Sequence, residues 1–112
     1  MATFERFDVV RVPFLFTDRQ AEKLRPALVL SDRAAFNHPA GHGVVAMITS
    51  ASHSPWPLDV SITDLEAAGL PVPSMVRFKL FTLDHRLARG KLGRIAQRDQ
   101  AEVRKALKRL FG

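Results

Sequence analysis

The sequence predicts a mostly β domain with short helices: a small antiparallel barrel closed by a C-terminal helix. Three observations predict it. Five or so short runs, either wholly apolar or alternating apolar and polar, are separated by turn residues, as strands are. One apolar stripe with helical spacing occupies the C-terminal end. A chain of 112 residues, 46% of them hydrophobic, can bury one modest core and not two, so residues 1–112 form a single domain. A curled sheet of this size removes its exposed edges by closing on itself.

Asp8–Phe14 reads as the first strand, with Pro13 confined to an edge or to the strand's end because it lacks an N–H. Phe14-Leu15-Phe16 adds an aromatic apolar patch of core character. Thr17–Leu24 is a polar loop carrying Asp18, Arg19, Glu22 and Lys23, long enough to join two antiparallel strands. Ala27–Leu30 is a run of four apolar residues bounded by Pro26 and Ser31, which predicts a short strand covered on both faces. Pro26 belongs at its first position and pushes Arg25 toward an extended conformation. Residues 31–43 break the pattern, with a helical turn over Asp32–Phe36. Gly43–Ile48 is the next buried strand and ends at Thr49-Ser50. Pro57–Ile62 alternates as a half-exposed strand does. Thr63-Asp64-Leu65-Glu66 has the form of a capping box opening one or two helical turns, which Gly69 stops. Ser74–Leu83 is a long strand with Met75, Arg77, Lys79 and Phe81 on one face and Val76, Phe78 and Leu80 on the other. Lys91–Ile95 is the last strand. Asp99–Phe111 is the closing helix, with Val103, Ala106, Leu107, Leu110 and Phe111 as its buried stripe. Its basic residues suit a solvated face and the negative end of the helix dipole.

The chain has 17 basic and 11 acidic residues, a net charge of +6. That surplus favours a polyanion or an acidic protein segment as partner. It has no cysteine, which excludes disulfides, thiolate chemistry and cysteine metal sites. The start has no basic segment followed by an apolar one, and no apolar run reaches membrane-spanning length, so a cytoplasmic location without membrane contact is expected. His38 and His42 lie four apart, but Pro39 and Gly41 between them argue for solvent-facing loop histidines and not a metal pair.

Two places could carry chemistry. Arg25 stands at the mouth of a rigid strand, where its guanidinium can be aimed; taken alone it is a strand-end arginine that would snorkel or pair with a carboxylate. Thr49 and Ser50, followed by Ala51, Ser52, His53 and Ser54, make a polar rim. Such hydroxyls either cap turns or donate to anionic oxygens.

Taken together, Asp8–Asp18, Arg25–Ser31, Ile48–Ser50, Ser74–Arg77 and Leu80–Asp84 resemble the MazF/PemK toxins of type II toxin–antitoxin systems. The motifs occur in the family's order over nearly the whole chain. The resemblance implies an SH3-like barrel of the MazF/CcdB type and a homodimer. It implies a sequence-selective, metal-independent endoribonuclease without cofactor, acting on single-stranded RNA, and a cognate antitoxin with an acidic, disordered tail. The family's arginine after the first hairpin loop falls on Arg25, its threonine at the end of the following strand on Thr49, and a second arginine of PemK-type members on Arg77. The sequence departs from the family in four places. Phe7 stands where glycine is usual and Leu15 where proline is usual. Phe16, Thr17 and Asp18 stand where some relatives carry a histidine, and Lys79 where PemK-type members carry an aspartate.

The chemistry implied needs little machinery, because RNA carries its own nucleophile in the 2′-hydroxyl. The enzyme aligns it and stabilises charge on the phosphoryl oxygens. Arg25 is expected to grip the scissile phosphate with its bidentate fork and Thr49 to donate a second hydrogen bond. His53 is either the base, an imidazole being suited to proton transfer near neutrality, or an exposed loop residue. Arg19, Lys23, Ser50, Arg77 and Lys79 are expected to contact the RNA. The same fold also hosts CcdB-type gyrase poisons, and a catalytically silent RNA-binding barrel is a third reading.

Overall fold

A computed structural model describes residues 3–14 and 23–112, with only the backbone described for Phe14 and Lys23. Among these residues, six strands form one antiparallel sheet: β1 (Asp8–Phe14), β2 (Lys23–Val29), β3 (His42–Ser50), β4 (Val60–Ser61), β5 (Ser74–Asp84) and β6 (Lys91–Arg94). Their order across the sheet is β4-β5-β3-β2-β1-β6. The helices are α1 (His38–Ala40), α2 (Leu65–Ala68) and α3 (Gln97–Phe111), with a π-turn at Arg33–Asn37 and a 3-10 turn at His85–Leu87. The Thr17–Leu24 loop lies outside the described residues up to residue 22, as do Arg19, Leu15 and the Lys23 side chain.

The sheet curls into a half-barrel whose edge strands, β4 and β6, do not pair with each other. Helices fill the gap instead. One face of the sheet holds the larger core, where Val9, Leu28, Ala46, Ile48, Val76 and Phe78 meet Val103 and Ala106 of α3. The other face buries Val10, Val12, Ala27, Val29, Val45 and Leu83 under Phe4, Phe81 and Ala88. The apolar runs of β2 and β3 thus serve two cores at once, which is why they show no polar alternation.

Two glycines let α2 dock on β6. A Cβ on Gly93 would stand 2.3 Å from the Ala67 carbonyl oxygen, and one on Gly69 would stand 2.1 Å from that of Leu92. Gly69 also ends α2 in the left-handed conformation, φ +73, as expected. The buried carboxylate of Asp99 joins α3 to the start of α2. It accepts from the Thr63 N–H at 3.0 Å, the Thr63 hydroxyl at 2.8 Å and the Asp64 N–H at 3.2 Å.

The structure corrects several expectations. Pro26 is the fourth residue of β2, not the first, because the β1 ladder runs on to Phe14↔Lys23. The β3 ladder, in contrast, stops at Ala27↔Met47, next to the residue that has no N–H to give. Of Pro57–Ile62 only Val60 and Ser61 are strand; the residues before them are drawn into a loop by the side chain of Asp59. The expected capping box shifts by one residue, since Asp99 takes the Thr63 hydroxyl and Asp64 caps α2 by accepting from the Ala67 N–H at 3.0 Å. His38 and His42 are not loop residues. Pro39 sits in the first turn of α1, where a missing N–H costs nothing, and His42 opens β3. α3 begins at Gln97, before its apolar stripe starts, and the stripe's far end is open to solvent, with Phe111 75% exposed.

Candidate active site

Strand alternation and register together place the expected residues. Ala46 and Ile48 of β3 point into the larger core, so Val45, Met47 and Thr49 face the other way. Ala27 and Val29 of β2 share that second face, and so does Arg25. Carried two residues outward from Ala27↔Met47, the register sets Arg25 against Thr49. The ladder bonds end before that point, so the two side chains stand at the rim where β2 and β3 part. Arg25 is half-buried and opposite Val12 of β1, with the Nε of its guanidinium buried.

On the other flank Thr49 pairs with Met75 of β5. Val76 and Phe78 belong to the larger core, so Met75, Arg77 and Lys79 lie on the Thr49 face. The sheet therefore brings Arg25, Thr49, Arg77 and Lys79 to one side. It does not bring Ser50, which alternates to the opposite face. The Ser50 hydroxyl lies 2.9 Å from that of Ser52 and accepts from the Ser52 N–H at 3.3 Å, the turn chemistry common to hydroxyls at strand ends.

The turn after β3 folds His53 back onto Thr49. The His53 N–H donates to the Ser50 carbonyl at 3.2 Å, and His53 Nδ1 lies 2.8 Å from Thr49 Oγ1 and 3.3 Å from the Ser50 carbonyl oxygen. The 2.8 Å contact fits either polarity. With the proton on Nδ1, the ring donates to Thr49 Oγ1 and the Ser50 carbonyl, Nε2 carries the lone pair, and the Thr49 O–H is left to donate elsewhere.

Arg77 is engaged. Its Nη2 donates to Asp59 Oδ2 at 3.0 Å and to the Ser54 carbonyl, and its Nε donates to Asp59 Oδ1 at 3.3 Å. Both side chains of this pair are largely buried, at 11% and 13% exposure. Asp59 also accepts from the Trp56 N–H at 2.9 Å. The segment between β3 and β4 is thus tied down by one ion pair. Lys79 differs, with its ammonium 4.5 Å from the centre of the Trp56 ring.

Sequence reasoning passed over Trp56, Asp59 and Arg109. With His53 and Met75 they line an open cleft of ≈ 750 Å³ between that segment and the end of α3. A lone tryptophan between Pro55 and Pro57 was the available signal. Asp59 read as one polar position of an alternating strand, and nothing in the letters ties it to Arg77.

A small half-barrel with a C-terminal helix, carrying a cation and a hydroxyl on one face near a sheet rim, defines a class of fold and site. The model of PemK-like, MazF-like toxins of type II toxin–antitoxin systems matches residues 5–111, and the chain belongs to that family. Solved structures agree. MazF from Deinococcus radiodurans is 27% identical, with a TM-score of 0.76 over 100% of this chain and 99% of that one. A chain of a MazE–MazF complex from the same organism is 25% identical, with a TM-score of 0.77 over 99% of this chain and 98% of that one. An endoribonuclease from a mycobacterial species shares the fold at 20% identity, with a TM-score of 0.75 over 100% and 94% of the two chains. No curated protein matches the chain. Among the described residues no helix is long and apolar enough to cross a membrane.

Proposed function

We propose that this toxin is an endoribonuclease that cuts single-stranded RNA without a metal ion, by attack of a 2′-hydroxyl on the adjacent phosphorus. The observation that carries the reading is the Thr49–His53 contact of 2.8 Å on the sheet face that also holds Arg25. Arg25 grips the non-bridging oxygens of the scissile phosphate with its fork. Thr49 donates its free O–H to the same group. The 2′-oxygen forms a bond to phosphorus while its proton passes to His53 Nε2, the bond from phosphorus to the 5′-oxygen breaks, and that oxygen takes a proton from solvent. The products are a 2′,3′-cyclic phosphate and a 5′-hydroxyl, with no water consumed. His53 keeps its Nδ1–H bond to Thr49 in both protonation states, so taking up a proton does not disturb the hydroxyl. Preorganised donors of this kind stabilise the developing charge at no cost in reorganisation.

Arg77 does not reach for RNA in this reading; it holds Asp59 and the loop that carries His53. Loss of messages would arrest translation and growth. The net charge of +6 suits RNA and equally a cognate antitoxin with an acidic tail, and a homodimer is the expected assembly. The test is incubation of single-stranded RNA with purified protein in EDTA, followed by mapping of the cut ends. Cyclic-phosphate ends made by wild type, and lost in Thr49→Val and His53→Gln, are the expected result. Growth arrest with intact RNA would favour a gyrase-type poison, and RNA binding without cutting a silent barrel.

A further inference from the structure

The cleft next to His53 has the makings of a base-binding subsite. Trp56 is 42% exposed, an unusual state for the chain's largest apolar side chain, and it is not loosely held. Its N–H donates to Asp59 at 2.9 Å, its carbonyl accepts from the Asp59 N–H at 3.2 Å, and Asp59 is locked to Arg77. Leu58, between them, is held at φ +66, a conformation a leucine adopts only when its surroundings insist, and such strain gathers at ligand-holding loops. The backbone of Trp56 is therefore fixed, and its ring, with the Arg77 guanidinium 5.8 Å and the Lys79 ammonium 4.5 Å from its centre, keeps part of its surface open to solvent.

The charges around it differ in kind. Arg77 is neutralised by Asp59. Lys79, 4.5 Å from the ring centre, has no carboxylate partner among the described residues, and Arg109 on the cleft's far wall has none among them either. An exposed ring flanked by uncompensated cations is how proteins hold single-stranded nucleic acid, the base stacking on the ring and the phosphate meeting the cation. An acidic peptide would answer those cations as well; a base adds the flat face that stacks on an indole.

We propose that Trp56 is the stacking platform for one unpaired base of the RNA, beside the phosphate that Arg25 and Thr49 hold, and that Lys79 neutralises the phosphate of that stacked nucleotide. The subsite deepens the ribonuclease reading and rests on it. Its position, three residues after His53 and in the same cleft, makes it a determinant of where the strand is cut.

The chain has one tryptophan and no tyrosine, so its intrinsic fluorescence reports this platform alone. The probe is a single-stranded oligonucleotide of mixed sequence, made with 2′-O-methyl ribose throughout so that it has no nucleophile. Saturable quenching of the emission, weakened by salt and by Lys79→Ala, is expected. In cleavage of the unmodified RNA, Trp56→Ala should raise KM by about 30-fold and change kcat little, because stacking is the same before and during reaction. Trp56→Phe should recover most of the loss. The alanine variant keeps both backbone bonds to Asp59, so the loop stays in place. A platform role is overturned if RNA is cut but the emission never responds, or if Trp56→Ala lowers kcat with KM unchanged, which would make the ring a prop for His53. Quenching by a wild type that cuts no RNA would keep the platform and overturn the nuclease reading.

Discussion

Phe7 occupies a backbone conformation, φ +74, that favours glycine, and glycine is what the family usually carries there. The compensation is visible: its ring is 1% exposed in the larger core, and the guanidinium groups of Arg6 and Arg104 lie over it at 5.1 and 4.8 Å. Strain of about 1–2 kcal/mol is set against about 3–5 kcal/mol for a buried phenyl ring. Phe7→Gly should therefore lower stability by about 1–4 kcal/mol, read as a lower urea midpoint at unchanged slope; a more stable variant would mean that strain outweighs burial. At Arg25 the argument is geometric. Lysine keeps the charge but offers no planar fork, so Arg25→Lys should fold normally and cut RNA roughly 10²-fold more slowly in single-turnover assays. Equal rates would remove Arg25 from the site. Arg25 and Thr49 were marked by the resemblance to the family, and His53 by its place in the polar rim after β3. That Arg25 and Thr49 share a sheet face, and that His53 folds back onto Thr49, depended on strand register and on the path of a turn.

At the scale of elements, the apolar runs of β2 and β3 and the alternation of β5 were readable because burial on one or both faces imposes them. The turns were less so. α1 hides behind Pro39, and β4 shrank to two residues because Asp59 is claimed by Arg77, a partner on β5. Arg77 and Lys79 share a face by alternation, yet one is an internal strut and the other faces solvent, a difference that only the loop folding over them creates. The closure of the half-barrel rests on a contact between two backbones, Gly93 against Ala67. A methyl group there meets main chain and not a flexible side chain, so Gly93→Ala should cost about 1–3 kcal/mol. Thermal unfolding of the variant checks this, and an unchanged midpoint would mean that α2 can retreat from β6 freely.

For the whole molecule, acid stability turns on His85. It is 6% exposed, set edge-on to Phe4 with ring centres 5.5 Å apart, and its Nε2 has no hydrogen-bond partner among the described residues. Burial, then the nearby His42, push its pKa below the ordinary value of 6.5, against the pull of Asp84. The unfolded chain thus binds a proton more readily than the native one. Stability should be full above about pH 6.5 and fall below it, with a slope of at most about 1.4 kcal/mol per pH unit for one proton. Asp84 takes no part in that window, since hydrogen bonds from Arg86 hold its carboxyl well below the usual carboxylate range. Urea unfolding at pH 7.5 and at pH 5.5 tests the sign, and His85→Phe should flatten the dependence.

The amino-acid order by itself determined that this chain folds as a curled antiparallel sheet with a closing helix, and which family it belongs to, because burial periodicity and short motifs are local properties. It also marked the rim residues. Tertiary structure alone decided that Thr49 leans on His53 while Ser50 turns away, that Asp59 claims Arg77 and leaves Lys79 to Trp56, and that the end of the helix stripe stays wet. Those outcomes depend on strand register and on one loop's path across the sheet. Both follow from contacts between residues far apart in the sequence, which no local pattern records.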